Sequence, residues 1–555
     1  MTKKLLFLFL LFPIVALAQI PNWQWAKNAA LMFNGMTAIH DIGPDGNIVM
    51  VGDFNQPTVT FGSTTLSQTT PNFSDVYMVK YDQSGNVVWA KSFGGTNTDS
   101  VSGVRIAPDG SIYVTGGFWN NLTIDGTTFT TVLGANYISK YDSQGNLLWL
   151  KRATNSQSGW GIQQMDFDSQ GNLYVAGSIN IPTLTFNSQT VNYVGYQPNS
   201  VNRVFFGKFD QDGNCLWLRC PETTQVNEWG SFSFGISVDN QGNMAVTGRF
   251  HEFTLDFGGI TLSKTSTDNY NSNVFIAQYD TNGSLLWARN AGTSTNNITT
   301  GSGIAHDNSG NLFVTGNFTG TISLDGISLT SGGGSKQFLF KFSAVGTALW
   351  GKAVHATGAC SALSRSLDVD SFGSVYVAGM TQCSSLEFWD GVSITMQGQG
   401  GLYIVKFNAD GLPIWVRRSG EQNINNEACI KVLAPNEIYV SGTFSASTFT
   451  LGTITLTKSP ANYDLYLAKM YAQPLSVDDF ASQKIAVYPN PVTSEMFLEN
   501  VASGLDFSIS DVSGRMVRTG KTELSPISVI GLASGIYVLN LRNQSENKSV
   551  KFIKQ

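Results

Sequence analysis

Three short phrases each occur seven times along this chain of 555 residues, and they occur in step. One is glycine-centred: Gly52-Asp53-Phe54, Gly116-Gly117-Phe118, Gly177-Ser178-Ile179, Gly248-Arg249-Phe250, Gly316-Asn317-Phe318, Gly379-Met380-Thr381 and Gly442-Thr443-Phe444. Another is a lone tryptophan, at Trp25, Trp89, Trp149, Trp217, Trp287, Trp350 and Trp415. The last begins at Lys80-Tyr81-Asp82 and Lys140-Tyr141-Asp142, continues through Lys208, Gln278, Lys341 and Lys406, and ends at Lys469-Met470-Tyr471. A spacing of about 60 to 70 residues held over seven units marks a repeat fold, and strand-rich units point to a seven-bladed β-propeller.

In the second unit, apolar runs predict strands from Val101 to Ala107, Ser111 to Phe118, Ala135 to Tyr141 and Asn146 to Lys151. Pro108-Asp109-Gly110 and Asp142-Ser143-Gln144-Gly145 join them as antiparallel hairpins through tight turns. Trp25 precedes the first glycine phrase, whereas the seventh unit ends at Tyr471 with no tryptophan strand. The N-terminal strand is therefore expected to complete the last blade and remove an unpaired edge.

Strand direction puts the short turns at one end of the ring and the long connections at the other, the upper face. Each second-to-third connection carries its own pair of short runs, such as Val59-Thr60-Phe61-Gly62, read as an added hairpin decorating that face. Cys360 and Cys383 fall side by side in upper connections and are predicted to form a disulfide. Cys215 and Cys220 point to opposite faces of one stretch and are not expected to bridge, and five cysteines leave at least one unpaired.

Composition agrees with an all-β chain: charged residues are 13%, aromatics 12%, and there are 57 glycines. With 33 basic and 39 acidic residues spread along the chain, no cationic stripe exists for a nucleic acid. Lys3-Lys4, an apolar run from Leu5 to Leu17 and Ala16-Leu17-Ala18 before Gln19 read as a secretory signal peptide over 1–18, cut between Ala18 and Gln19. No segment is long and apolar enough for a transmembrane helix.

The repeat resembles the SBBP family of bacterial β-propeller repeats, well carried by Asp168-Ser169-Gln170-Gly171-Asn172-Leu173-Tyr174-Val175-Ala176-Gly177; the resemblance covers about 23–471 and implies a fold, the propeller of 19–471, without an activity. Residues 472–484 read as a linker. Beyond it, Val487-Tyr488-Pro489-Asn490-Pro491-Val492, Asp511-Val512-Ser513-Gly514-Arg515, Ser534-Gly535-Ile536-Tyr537 and Lys551-Phe552-Ile553-Lys554 resemble the type A sorting domain of the type IX secretion system of Bacteroidetes. Physically, 485–555 is a set of short strands, a small Ig-like β-sandwich. The resemblance makes Pro489, Asn490, Pro491, Gly514, Gly535, Tyr537, Lys551 and Lys554 the sorting signal. It implies as partners the translocon and its sortase machinery, with release or attachment to surface lipopolysaccharide, and a location outside the cell or on the outer-membrane surface, reached through the periplasm.

Neither a zinc nor a nucleophile motif occurs, the Asp-x-x-Gly-Asn turns lack the calcium-loop spacing, and no metal or cofactor is expected. Asp99, Glu228 and Glu427 precede the first strands of their blades and are weak candidates for acid–base work on a glycan. Trp119, Trp160, Trp229 and Trp389 stand outside the repeated series, in upper connections, where aromatics stack on sugars or anchor proteins. The reading is a secreted or surface-attached module that binds glycan or protein, with a propeller glycan hydrolase or lyase and a purely structural surface protein as alternatives.

Overall fold

The computed structural model describes residues 20–31, 38–132, 134–153, 161–193, 202–223, 229–264, 266–292, 298–356, 358–389, 391–396, 401–420, 424–460, 463–472, 486–499, 505–511, 515–522, 526–542 and 547–555. The signal peptide, its cleavage site, Trp160, Glu228, Gly514 and the Glu427 side chain lie outside the described residues. The chain separates into two compact units at Ala472/Gln473.

The first unit is a β-propeller. Among the described residues it holds seven four-stranded antiparallel sheets and no helix. Blade two runs Asp99–Ile106, Ile112–Phe118, Ala135–Tyr141 and Leu147–Arg152 from inside out, within two residues of the sequence reading. The last blade takes Ile424–Ala434, Glu437–Phe444 and Tyr463–Tyr471 from the C-terminal side, and its fourth strand is Asn22–Leu31. Each inner strand touches the next, and Ile39–Ile42 of blade one touches Ile424–Ala434 of blade seven, so the ring closes. Charges tighten that closure: Asp41 pairs with Arg105 of blade two at 3.0 Å and with Lys431 of blade seven at 3.4 Å, while Arg105 also pairs with Asp166 of blade three.

Two of the sequence series, the lysines and the tryptophans, belong to one row of side chains repeated around the ring. In blade three, Tyr174, Lys208 and Trp217 stand directly opposite one another on three adjacent strands. Lys208 Nζ lies 4.7 Å from the Tyr174 ring centre and 3.1 Å from Asp168, and the Trp217 ring meets Tyr174 edge-on at 6.0 Å. Tyr113, Lys140 and Trp149 repeat the row, as do Tyr376, Lys406 and Trp415, and Tyr439, Lys469 and Trp25. A buried ammonium is tolerable because ring faces and a carboxylate replace its water. Five tryptophans from Trp89 to Trp350, and Trp25, also lie against the turn glycine of the next blade: a Cβ on Gly283 would come 2.8 Å from Trp217, and one on Gly85 2.9 Å from Trp25.

The glycine phrase has its own cause. Inner strands carry a bulge in blades two to seven, and the carbonyl before it presses on the second strand. A Cβ at Gly116, Gly248 or Gly316 would come within 2.0 to 2.1 Å of the carbonyl oxygen of Ser100, Phe232 or Thr300. The residue after the glycine serves the next blade: Asp53 Oδ1 accepts from Val101 N at 2.8 Å, and Asn317 Oδ1 accepts from Ser364 N at 2.8 Å.

One expectation about the upper face is corrected. Seven two-stranded hairpins exist, but they do not decorate that face. They leave it and run down the outer strands to the opposite end. There Asp125 accepts from Leu147 N, and Asn187 donates to the Gly213 carbonyl, at the start of an outer strand and in a tight turn. They also bridge to the preceding blade, as between Gly94 and Thr123, and Gly292 and Ser323. Blades set around an axis splay apart with radius, and the hairpins fill the wedge with buried side chains such as Val59, Phe61 and Leu66.

The second unit packs two small sheets around Val492, Met496, Ile509, Val529, Leu539 and Phe552. One is formed by Ala486–Tyr488, Glu495–Glu499 and Ile527–Ser528. The other has Met516–Lys521 and Asn547–Lys554 at its edges, with Asp506–Asp511 and Gly535–Arg542 between.

Candidate functional site

The candidate residues fall in different blades and at different depths. Asp99 opens the inner strand of blade two and is fully buried. Its Oδ2 accepts from Gly95 N at 2.6 Å, while its Oδ1 is buried with no partner. Burial, against the pull of the Gly95 N–H and with the added repulsion of Asp75 and Asp53, pushes its carboxyl up to about 8. Asp75 is raised too, chiefly by burial, with Thr69 N–H opposing. Asp99 therefore sits in a sealed acidic group with Asp75 and Asp53. Glu427 has its backbone on the innermost strand of blade seven, on the far side of blade one.

Trp389 corrects the expectation of an exposed aromatic. It lies at the tip of the blade-six hairpin, half-buried, stacked on Phe407 at 4.9 Å and 10°, with its Nε1 donating to the Gly411 carbonyl. The hairpin carries it away from the upper face to the tight-turn end, where it fills the wedge between hairpin and blade. Trp119 is exposed where the second strand of blade two passes into its hairpin.

Trp229 is 49% exposed, immediately before the inner strand of blade four. Tyr270, from the second-to-third connection of the same blade, is 67% exposed, with its ring centre 5.9 Å from that of Trp229 at 53°. His251 backs the pair at 6.2 Å from Trp229. Its imidazole is driven down to about 4 by burial and by the nearby cations Arg249 and Lys264, so it is neutral at ordinary pH. Exposed Ile298, bridged to Ser272, extends the apolar surface. Tyr270 has no signal in the sequence beyond an aromatic inside the polar run Asn269-Tyr270-Asn271. The turn carboxylates Asp82, Asp142 and Asp210 each accept two backbone N–H groups and an Asn side chain, so their oxygens are engaged by the turn itself.

Cys360 and Cys383 form a disulfide with Cα atoms 5.2 Å apart, and Cys215, Cys220 and Cys429 are free thiols.

In the second unit, motifs far apart in sequence meet. The Asn490 side chain, between Pro489 and Pro491, accepts from Ile553 N at 2.8 Å, and Val492 and Lys554 bridge. Tyr537 stacks on Phe552 at 5.7 Å across paired strands, Lys551 pairs with Val538, and Gly535 with Lys554. Residues 486–555 match the family described as the secretion system C-terminal sorting domain. The chain carries a secretion-system sorting domain. That domain directs export through the periplasm to the cell surface or the extracellular space, and it implies interaction with the type IX secretion machinery. Residues 286–320 match the β-propeller repeat family.

Similarity to curated proteins is weak. The chain is 24% identical over 459 residues to an uncharacterized WD repeat-containing protein of Acanthamoeba polyphaga mimivirus, covering 70% of this chain and 33% of the relative. It is 28% identical over 182 residues to the regulatory protein FlaEY of Caulobacter vibrioides, covering 31% and 18%. The chain thus spans a third or less of the length of these relatives. Among solved structures, PorZ of Porphyromonas gingivalis aligns at 10% identity over 96% of this chain and all of that one, with a TM-score of 0.18. The NanB sialidase of Streptococcus pneumoniae aligns at 10% over 80% and 70%, with a TM-score of 0.31. Alignments this loose bear on neither activity nor ligand. Among the described residues no helix is long and apolar enough to cross a membrane.

Proposed function

We propose that this sorted propeller is a binding module for a glycan or protein outside the cell, and that its ligand meets the upper face at the Trp229–Tyr270 pair. The supporting observation is that pair itself: two large rings outside the repeat, 49% and 67% exposed, held 5.9 Å apart on a chain whose repeated tryptophans are packed. Exposed aromatics side by side offer apolar area at little entropic cost and retain a polar edge, the combination found in sugar and protein contacts. After translocation the sorting domain is removed, and the propeller is released or joined to surface lipopolysaccharide. A hydrolase or lyase reading has less support, because Asp99 is sealed from solvent. The test is retention of the full chain on glycan and protein arrays. Retention should fall about tenfold or more in a Trp229→Ala, Tyr270→Ala double variant, the equivalent of about 1.4 kcal/mol. Equal retention would remove the platform from the account.

A further inference from the structure

At the other end of the ring, where the tight turns lie, blades five, six and seven leave a cleft of about 380 Å³. His306 and Asp307 line it from blade five, Asp370 and Ser371 from blade six, and Leu433 and Pro435 from blade seven. The repeat changes next to His306. The position that carries Asp41, Arg105, Asp166, Ser237, Asp368 and Lys431 in the other blades is Ala305 in blade five, so a short side chain stands where the others reach toward the next blade. The volume falls in the range of small-molecule sites.

Two features of this cleft lack a structural purpose. The first is His306. Ser237 Oγ accepts the His306 backbone N–H at 3.1 Å, and it also lies 3.0 Å from His306 Nδ1. With the Ser237 hydroxyl as the donor, Nδ1 is the acceptor, and burial holds the imidazole below its usual pKa despite the acids Asp239, Asp166 and Asp307, leaving it neutral. The remaining hydrogen is then on Nε2, which is buried and, among the described residues, has no partner. An N–H left unpaired in this way is costly unless something else accepts it.

The second is Phe372. Corresponding turn positions hold Asp45, Asp109, Gln170, Gln241 and Ser309, all polar, and Pro435 in blade seven, whereas Phe372 is 79% exposed and follows the cleft-lining Ser371 in the turn. Packing gains little from it, so its exposed face is open to a ligand.

We propose that this cleft binds a neutral saccharide, whose hydroxyl oxygen accepts from His306 Nε2–H and whose ring stacks on Phe372. The chemistry narrows the class. A wholly apolar ligand would leave the Nε2–H unpaired. An acidic sugar would meet two wall carboxylates: Asp370, balanced by Lys406 at 3.4 Å, and Asp307, which among the described residues has no ion-pair partner. A sugar hydroxyl both accepts and donates, and sugar C–H faces suit an aromatic ring. The site is separate from the Trp229–Tyr270 platform and does not rest on it.

The test uses the full chain with ¹⁵N-labelled histidine. With 4 histidines per chain, a His306→Gln variant assigns the His306 ring signals. The probes are cellobiose, lactose, maltose and chitobiose, with a glucuronate-containing disaccharide as the acidic control. At least one neutral disaccharide should shift the His306 Nε2 resonance saturably. Phe372→Ala should weaken that titration about tenfold, and Trp229→Ala should leave it unchanged. The proposal is overturned if none of the four neutral sugars shifts His306, if Phe372→Ala titrates like the parent, if the acidic sugar shifts it equally, or if Trp229→Ala abolishes the effect.

Discussion

Lys208 Nζ lies 4.7 Å from the centre of the Tyr174 ring, directly across the strand pair, and that contact explains why a lysine recurs inside a β-sheet. The same ammonium is 3.1 Å from Asp168 and donates to Thr281 Oγ1 at 2.7 Å in the next blade. It stabilises its own blade and ties it to its neighbour. Lys208→Met keeps the stem but removes the cation from the buried Asp168 carboxylate, leaving it with its turn hydrogen bonds, and it should cost about 3 kcal/mol by denaturant unfolding. Lys208→Met with Asp168→Asn should recover part of that loss, and an additive pair of losses would count against the coupling.

Gly283 separates packing from backbone strain. Its φ is +75°, and a Cβ there would come 2.8 Å from the Trp217 ring, whereas Gly110, at φ +83°, has open space around it. Gly110→Ala should lose only about 1 kcal/mol, the cost of a left-handed residue. Gly283→Ala should lose clearly more, and the difference in unfolding free energy measures the Trp217 contact.

The closing strand carries a testable share of stability. Trp25 is half-buried, so about 200 Å² at about 25 cal/mol per Å², roughly 5 kcal/mol, overstates what it contributes. Trp25→Ala should cost about 2 to 3 kcal/mol. It should also raise hydrogen exchange first in Tyr463–Tyr471, its pairing partner. Uniform exchange in all blades would contradict a closure made at this seam.

Asp99 gives stability a pH dependence. Its folded value of about 8 lies above its ordinary 3.8, so between these limits the folded state holds a proton that the unfolded chain has released. Stability therefore falls as pH rises through that window, by at most about 1.4 kcal/mol per pH unit. Asp99→Asn should flatten the slope and be the more stable form at alkaline pH. A parallel pH profile in parent and variant would refute the buried-acid assignment.

Much of the fold was legible because its causes repeat. The tryptophans, lysines and glycines recur since each blade meets the same neighbour in the same way, and the Cys360–Cys383 contact followed from placing two loops side by side. The path of the hairpins was not legible. Alternation in Val59-Thr60-Phe61 shows that one face is buried but not against what, and the filled wedge exists only once blades diverge from an axis. Trp389 was misplaced for the same reason. Asp99 and Tyr270 depend on depth and on loop approach, which leave no period in the sequence.

Export through the sorting domain is the central claim, and cell fractionation in the native host tests it most directly. The full chain should be found on the surface or in the medium, digestible by protease added to intact cells. A chain ending at Ala472, which keeps the whole propeller unit, should be retained in the periplasm. Equal surface exposure of the two forms would contradict the account.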